Sequence, residues 1–136
     1  MPYEILEHTA DIRLKISGDT FGELLSEGLR GIISLLRGED AETEEGIIKR
    51  NLVVSAPDRA ALLVEFLSKA LSFSHVHKEI YSKVIFRELS ETSAQAVLYG
   101  FQVPKFDKDV KAVSYHDAEV KEGKNSRLEA ILVLDI

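Results

Sequence analysis

Leu128-Glu129-Ala130-Ile131-Leu132-Val133-Leu134-Asp135-Ile136 reads as a strand that stays apolar to Leu134 and then stops at a carboxylate. Terminal residues are poorly ordered unless something ties them down, so this stretch predicts a last strand held inside a sheet. If Ile136 closes the chain, the Asp135 carboxylate lies one residue from the α-carboxylate of Ile136. Like charges that close repel one another or recruit a cation. Near the other end, His8-Thr9-Ala10-Asp11-Ile12 supplies an imidazole and a further carboxylate between two apolar segments. First and last strands lying side by side would bring these groups together, and a divalent cation is the natural reason for them to meet.

The rest of the composition bounds the problem. With 136 residues, 45% of them hydrophobic and 29% charged, the chain has the balance of one globular domain spanning 1–136. Its longest apolar runs fall well short of a membrane span. Met1-Pro2-Tyr3-Glu4 has neither the basic nor the apolar part of a signal peptide, so a cytoplasmic protein with no membrane partner is expected. The absence of cysteine excludes disulfides, thiolate catalysis and zinc–thiolate sites. Seventeen basic against 23 acidic residues give a net charge of −6, which argues against a broad phosphate-binding surface. A role in an RNA-related process would run through a protein partner, with RNA contacted indirectly.

Periodicity predicts two helices and about seven strands. Tyr3–Glu7 and Arg13–Ser17 read as short strands, the second alternating Leu14 and Ile16 with charge. Gly18-Asp19-Thr20 is a turn into a helix, with Asp19 or Thr20 as cap and Glu23 completing a capping box. Leu24, Leu25, Leu29, Ile32, Ile33 and Leu36 follow helical spacing until Gly38 ends the helix. The acidic residues between Glu39 and Glu45 read as a solvated loop, with a partner's basic surface as the alternative. Ile47–Ser55 is strand-like, and Ala56-Pro57-Asp58 opens a second helix with its own apolar stripe. Ile80–Leu89, Gln95–Phe101, Val110–Val120 and Leu128–Leu134 read as further strands, with a hairpin turn at Glu122-Gly123-Lys124-Asn125. The expected fold is therefore α+β, a two-layer sandwich of two helices and mostly antiparallel strands.

Each candidate for chemistry has a plain structural alternative. Asp11 is equally the turn residue found where a chain reverses, and His8 a hydrogen-bonded structural imidazole. Lys111, at the entrance of the Val110–Val120 strand, suits either a carboxylate or partner contact or the ordinary job of discouraging edge pairing. Asp135 and the Ile136 carboxylate are hard oxygen donors suited to Ca²⁺, Mg²⁺ or Mn²⁺, or simply a surface terminus. His75 and His77 sit two apart at the end of the second helix and read as capping or exposed groups. No P-loop, GxGxxG, GxSxG or HExxH motif occurs. By residues alone, nothing names an enzyme.

Taken together, HTADI at His8–Ile12, VKAVSYH at Val110–His116 and the final Leu134-Asp135-Ile136 resemble the archease family. The likeness spans nearly the whole chain and includes the Gly18-Asp19-Thr20 turn, the Ala61–Leu67 helix segment and Gly100. It implies a non-enzymatic accessory protein of the RtcB-type RNA-splicing ligase, which speeds ligase guanylylation and supports multiple turnover in tRNA splicing. It implies a divalent-metal site, with Ca²⁺ expected and Mg²⁺ or Mn²⁺ as alternatives, held by Asp11, Asp135 and Ile136 through its backbone or terminal carboxylate. Lys111 corresponds to the family's functionally required lysine, and His8 and His116 are candidates to orient the ligating carboxylates. A chaperone or modulator of a tRNA methyltransferase is the alternative role. A small hydrolase using Asp11, Asp135 and His8 with metal-activated water is a further one. Three positions depart from the commoner pattern: Ser114 replaces Thr, Arg13 replaces Gly, and Val103–Asp109 lacks the histidine often found before VKAV.

Overall fold

Alternation along the first described strand sets one wall of the core. In β1 (Asp11–Gly18), Asp11, Arg13 and Lys15 are exposed, while Ile12, Leu14 and Ile16 turn inward against the apolar cluster. The computed structural model describes residues 11–38, 47–114 and 120–136. The expected Tyr3–Glu7 strand and the acidic loop 39–45 lie outside them.

The first turn of α1 (Phe21–Arg37) is organised as the capping residues predict. Thr20 Oγ1 accepts a hydrogen bond from the Glu23 amide at 3.1 Å, and the Glu23 carboxylate accepts one from the Asp19 amide at 2.7 Å. At the other end Gly38, at φ 69°, takes the left-handed step that releases the chain from the helix. After β2 (Ile48–Ser55), α2 (Arg59–His77) begins in the same way, with Asp58 Oδ1 accepting from the Ala61 amide at 2.8 Å. It ends at Lys78, whose backbone is left-handed.

Seven strands form two antiparallel sheets among the described residues. One has the order β1-β7-β5, built from β1, β7 (Leu128–Asp135) and β5 (Ala112–Ser114), with the two-residue β6 (Lys121–Glu122) pairing the start of β7. The other has the order β2-β4-β3, from β2, β4 (Ser93–Gln102) and β3 (Glu79–Leu89). The fold is an α+β sandwich of two helices and two sheets. α1 packs on β1, β3 and β7, and α2 on β2, β3, β4 and β5, so each helix bridges both sheets. Leu24, Leu25, Leu36, Leu62, Phe66 and Leu98 are fully buried in the single apolar cluster that results.

Two strands differ from the expectation. β3 carries irregularities between Tyr81 and Lys83 and between Phe86 and Glu88, where the register against β4 shifts. Each extra residue bends the strand and reverses which side chains face inward. Tyr81 is therefore buried at an odd position, whereas Val84 and Phe86 pack on the core at even ones. Of the expected strand Val110–Val120, Ala112–Ser114 is paired as β5 and 115–119 lie outside the described residues, while β6 begins just past its end at Lys121. Val110 and Lys111 precede the strand: the Val110 carbonyl meets a side chain of α2, and the Lys111 amide already bonds to Asp135 of β7.

At Gly100 the second sheet has no room for a side chain. A Cβ there would collide with the Ile80 carbonyl oxygen and lie 2.8 Å from the Tyr81 Cα, both main-chain atoms of the neighbouring strand. Gly100→Ala is expected to cost about 2 kcal/mol or more, because neither backbone can swing aside. Urea unfolding measures this, and an unchanged midpoint would contradict the close packing.

Candidate functional site

The register of β1 against β7 decides where the acidic groups meet. Asp11 lies directly opposite Asp135, followed by Ile12 opposite Leu134 and Leu14 opposite Leu132. Both strands extend one or two residues beyond the sequence expectation, so Asp11 is the first residue of β1 rather than part of a turn. Residues directly opposite in an antiparallel pair share a face, with Cβ atoms about 4.5–5.5 Å apart. Both aspartates are exposed on that face. On the other side of β7, Asp135 is opposite Ala112, also exposed. Asp11, Asp135 and Ala112 thus form one row across the end of the sheet. Arg13, Val133 and Ser114 form the corresponding row two residues along.

Like charges directly opposite are unfavourable in a sheet pair. The apolar pairs beneath hold the register regardless, since a one-residue slip would expose Ile12, Leu14 and Ile16. Ile136, beyond the last strand residue, packs its side chain on the core. Lys111 is exposed, and its amide donates to the Asp135 carbonyl at 2.6 Å. Lys111 and Asp135 are therefore brought together through the main chain, and the carbonyl engaged belongs to the same residue as the outward carboxylate. Val113 is buried while Lys111 is exposed, because Lys111 lies before the first residue of β5. His8 and His116 lie outside the described residues.

The two opposed carboxylates are hard oxygen donors, the kind that a divalent cation takes. No group of three or more His, Cys, Asp or Glu side chains suited to a metal occurs among the described residues. Asp11 and Asp135 would give such a cation two side-chain donors, and the remaining positions would fall to main-chain oxygen, water or a partner.

Sequence reasoning assigned His75 to capping or exposure, and the structure places it differently. Its Nε2 lies 2.6 Å from the carbonyl oxygen of Val110, the residue before Lys111. Its ring meets Phe106 edge-on at 5.5 Å between centroids, with Lys78 Nζ 4.9 Å from the Phe106 centroid. The signal was present in the spacing: His75 continues the i, i+4 stripe of Leu67 and Leu71, both buried.

A second charged group, unremarked in the sequence, is enclosed in the other sheet. Glu79 is fully buried and accepts paired hydrogen bonds from Arg50 Nε and an Arg50 terminal nitrogen, each 2.8 Å. Tyr81 donates a third, also 2.8 Å. The Arg50 hydrogen bonds, opposed by burial and helped by Tyr81, hold the Glu79 carboxyl below the ordinary carboxylate range. Burial first, and then the Glu79 contact, push the Tyr81 phenol upward. Because the folded-state pKa of Glu79 is depressed, its contribution is full above the unfolded value of about 4.3 and is lost as pH falls through the folded one. Urea midpoints should therefore drop on acidification below about pH 4. Glu79→Gln should be less stable at neutral pH and show a flatter acid limb; an identical acid limb would show that other carboxylates set it.

The Archease protein family (MTH1598/TM1083) matches residues 3–136. The chain belongs to the archease family. It is 30% identical over 145 residues to the archease of Methanopyrus kandleri, covering 100% of both chains. With the archease of Methanosarcina mazei it shares 28% over 142 residues, 98% of this chain and 95% of that one. The crystal structure of an archease and possible chaperone from Thermotoga maritima has the same fold, with a TM-score of 0.69 at 19% identity over 98% of this chain and 97% of that one. The solution structure of Methanobacterium thermoautotrophicum protein 1598 gives 0.67 at 17% identity, over 98% and 96%. No described helix is long and apolar enough to cross a membrane.

Proposed function

We propose that this archease is a non-enzymatic activator of an RtcB-type RNA ligase, promoting its guanylylation and multiple turnover in tRNA splicing. The observation that carries this reading is the pairing of Asp11 with Asp135 on an exposed sheet row, with Lys111 bound to the Asp135 main chain. The partner class is the one that the resemblance of its motifs to the family implies. A divalent cation, Ca²⁺ first and Mg²⁺ or Mn²⁺ as alternatives, would be held by Asp11, Asp135 and the main-chain or terminal oxygen of Ile136. When bound, it would neutralise the opposed carboxylates and offer open positions to oxygen ligands of a partner. Lys111 keeps a positive charge beside this row, which limits the local negative potential and gives the ligase a second contact. His8 and His116 are the candidates to orient the two carboxylates. RNA is contacted through the ligase rather than by this acidic chain.

A different observation favours a second reading, a chaperone of a tRNA methyltransferase. Val53 and Ile85 are 59% and 43% exposed, and the register puts both on the outer face of the β2-β4-β3 sheet, flanking Val97 and Gln95. The Thermotoga relative is described as a possible chaperone. That activity would not need Asp11 or Asp135.

Guanylylation of the cognate ligase by GTP, measured with and without this protein, separates the readings. Asp11→Ala and Asp135→Ala are each expected to lower stimulation at least about tenfold while unfolding at or slightly above the wild-type midpoint, since each removes a like-charge contact. Calorimetry on the isolated, chelator-treated protein should show divalent-cation binding by the wild type and its loss in both variants. Full stimulation by both variants would discard the carboxylate site and leave the sheet face as the working surface.

A further inference from the structure

The segment between β4 and β5 carries Lys111 to the end of the sheet, and it is held by main-chain hydrogen bonds rather than by secondary structure. The Val103 amide donates to the Lys78 carbonyl at 2.9 Å, and the Asp107 amide to the Leu36 carbonyl at 2.7 Å. These two bonds satisfy carbonyls at the C-terminal ends of α2 and α1, which helix geometry leaves open. The last stretch, 108–111, enters the sheet through a fully buried Val110. Its carbonyl meets the His75 imidazole at 2.6 Å, and the next amide, that of Lys111, meets Asp135. A carbonyl oxygen only accepts, so His75 Nε2 carries the proton in this contact. Asp109 Oδ1, 3.9 Å from the same nitrogen, is 63% exposed and lies at the margin.

We propose that His75 is a positioning residue for Lys111: by donating to the Val110 carbonyl, it fixes the peptide that holds the Lys111 main chain against Asp135 at the end of the Asp11–Asp135 row. This rests on the reading that Lys111 acts at the ligase. The imidazole is suited to the task because α2 holds it rigidly. Leu67 and Leu71 on the same helical stripe are buried, and Phe106 closes against the ring edge from the segment itself. Loss of the donor would leave the Val110 carbonyl without its side-chain partner and let the 108–111 peptides reorient, weakening the Lys111 bond to Asp135.

The test separates position from function. His75→Phe keeps the ring packing and removes the N–H, whereas His75→Gln returns an N–H at similar reach. Amide hydrogen exchange by NMR on the isolated protein should show Lys111 exchanging about five- to tenfold faster in His75→Phe, with β4 amides unchanged and His75→Gln close to wild type. Ligase guanylylation should follow the same order, and His75→Phe should cause no additional loss on a Lys111→Ala background. Should His75→Phe lose β4 protection, His75→Asn, whose shorter amide falls short of Val110, serves in its place. Unchanged Lys111 exchange overturns the proposal, as does faster exchange with full stimulation or a further loss on the Lys111→Ala background. If the wild-type protein itself fails to stimulate, the ligase reading falls, and the Lys111 exchange rates still decide whether His75 holds the peptide.

Discussion

The pairing of β1 with β7 is the constraint on which the other features depend. Its register is held by Ile12 opposite Leu134, Leu14 opposite Leu132 and Ile16 opposite Ala130, all turned toward the shared core. Because side chains alternate with a period of two, the same register that buries these residues must place Asp11 opposite Asp135 on the outer face. The carboxylate pair is thus a consequence of apolar burial, maintained against its own repulsion. β5 joins this arrangement through β7 alone, which brings Ala112 beside Asp135 and Lys111 to the Asp135 carbonyl.

The two helices connect that sheet to its neighbour in a specific way. Each presents buried leucines to both sheets, and each C-terminal end supplies a carbonyl that the 103–111 segment satisfies. The segment is therefore anchored by groups that the helices had to satisfy in any case. In the second sheet, the enclosed Arg50–Glu79–Tyr81 group ties β2 to β3, with Tyr81 opposite Gly100 of β4. A buried carboxylate is tolerated there because three donors from two strands replace its lost water.

Much of the fold was legible from local chemistry. Thr20 with Glu23, Asp58 and Gly38 marked helix ends through caps that depend only on neighbouring residues. The two leucine-rich stripes marked the buried faces. The strand bulges of β3 were not legible, since an extra residue leaves a short apolar run looking regular and shows itself only against a partner strand. The exposed Lys111 near a buried Val113 was not legible for the same reason: the groups that fix this peptide, His75 on Val110 and Asp135 on Lys111, lie 35 and 24 residues from their partners.

The sequence by itself determined the α+β class, the two capped helices, the apolar strands and the family, because each rests on local pattern or on ordered motifs along the chain. It also singled out Asp11, Lys111 and Asp135. Only the tertiary structure decided that Asp11 faces Asp135, that Lys111 reaches the same residue through its amide, and that His75 meets Val110 rather than capping its own helix. Those facts depend on strand order and on a register set by burial across the whole core. No single segment carries that information, because register is a property of two strands and the core they cover together.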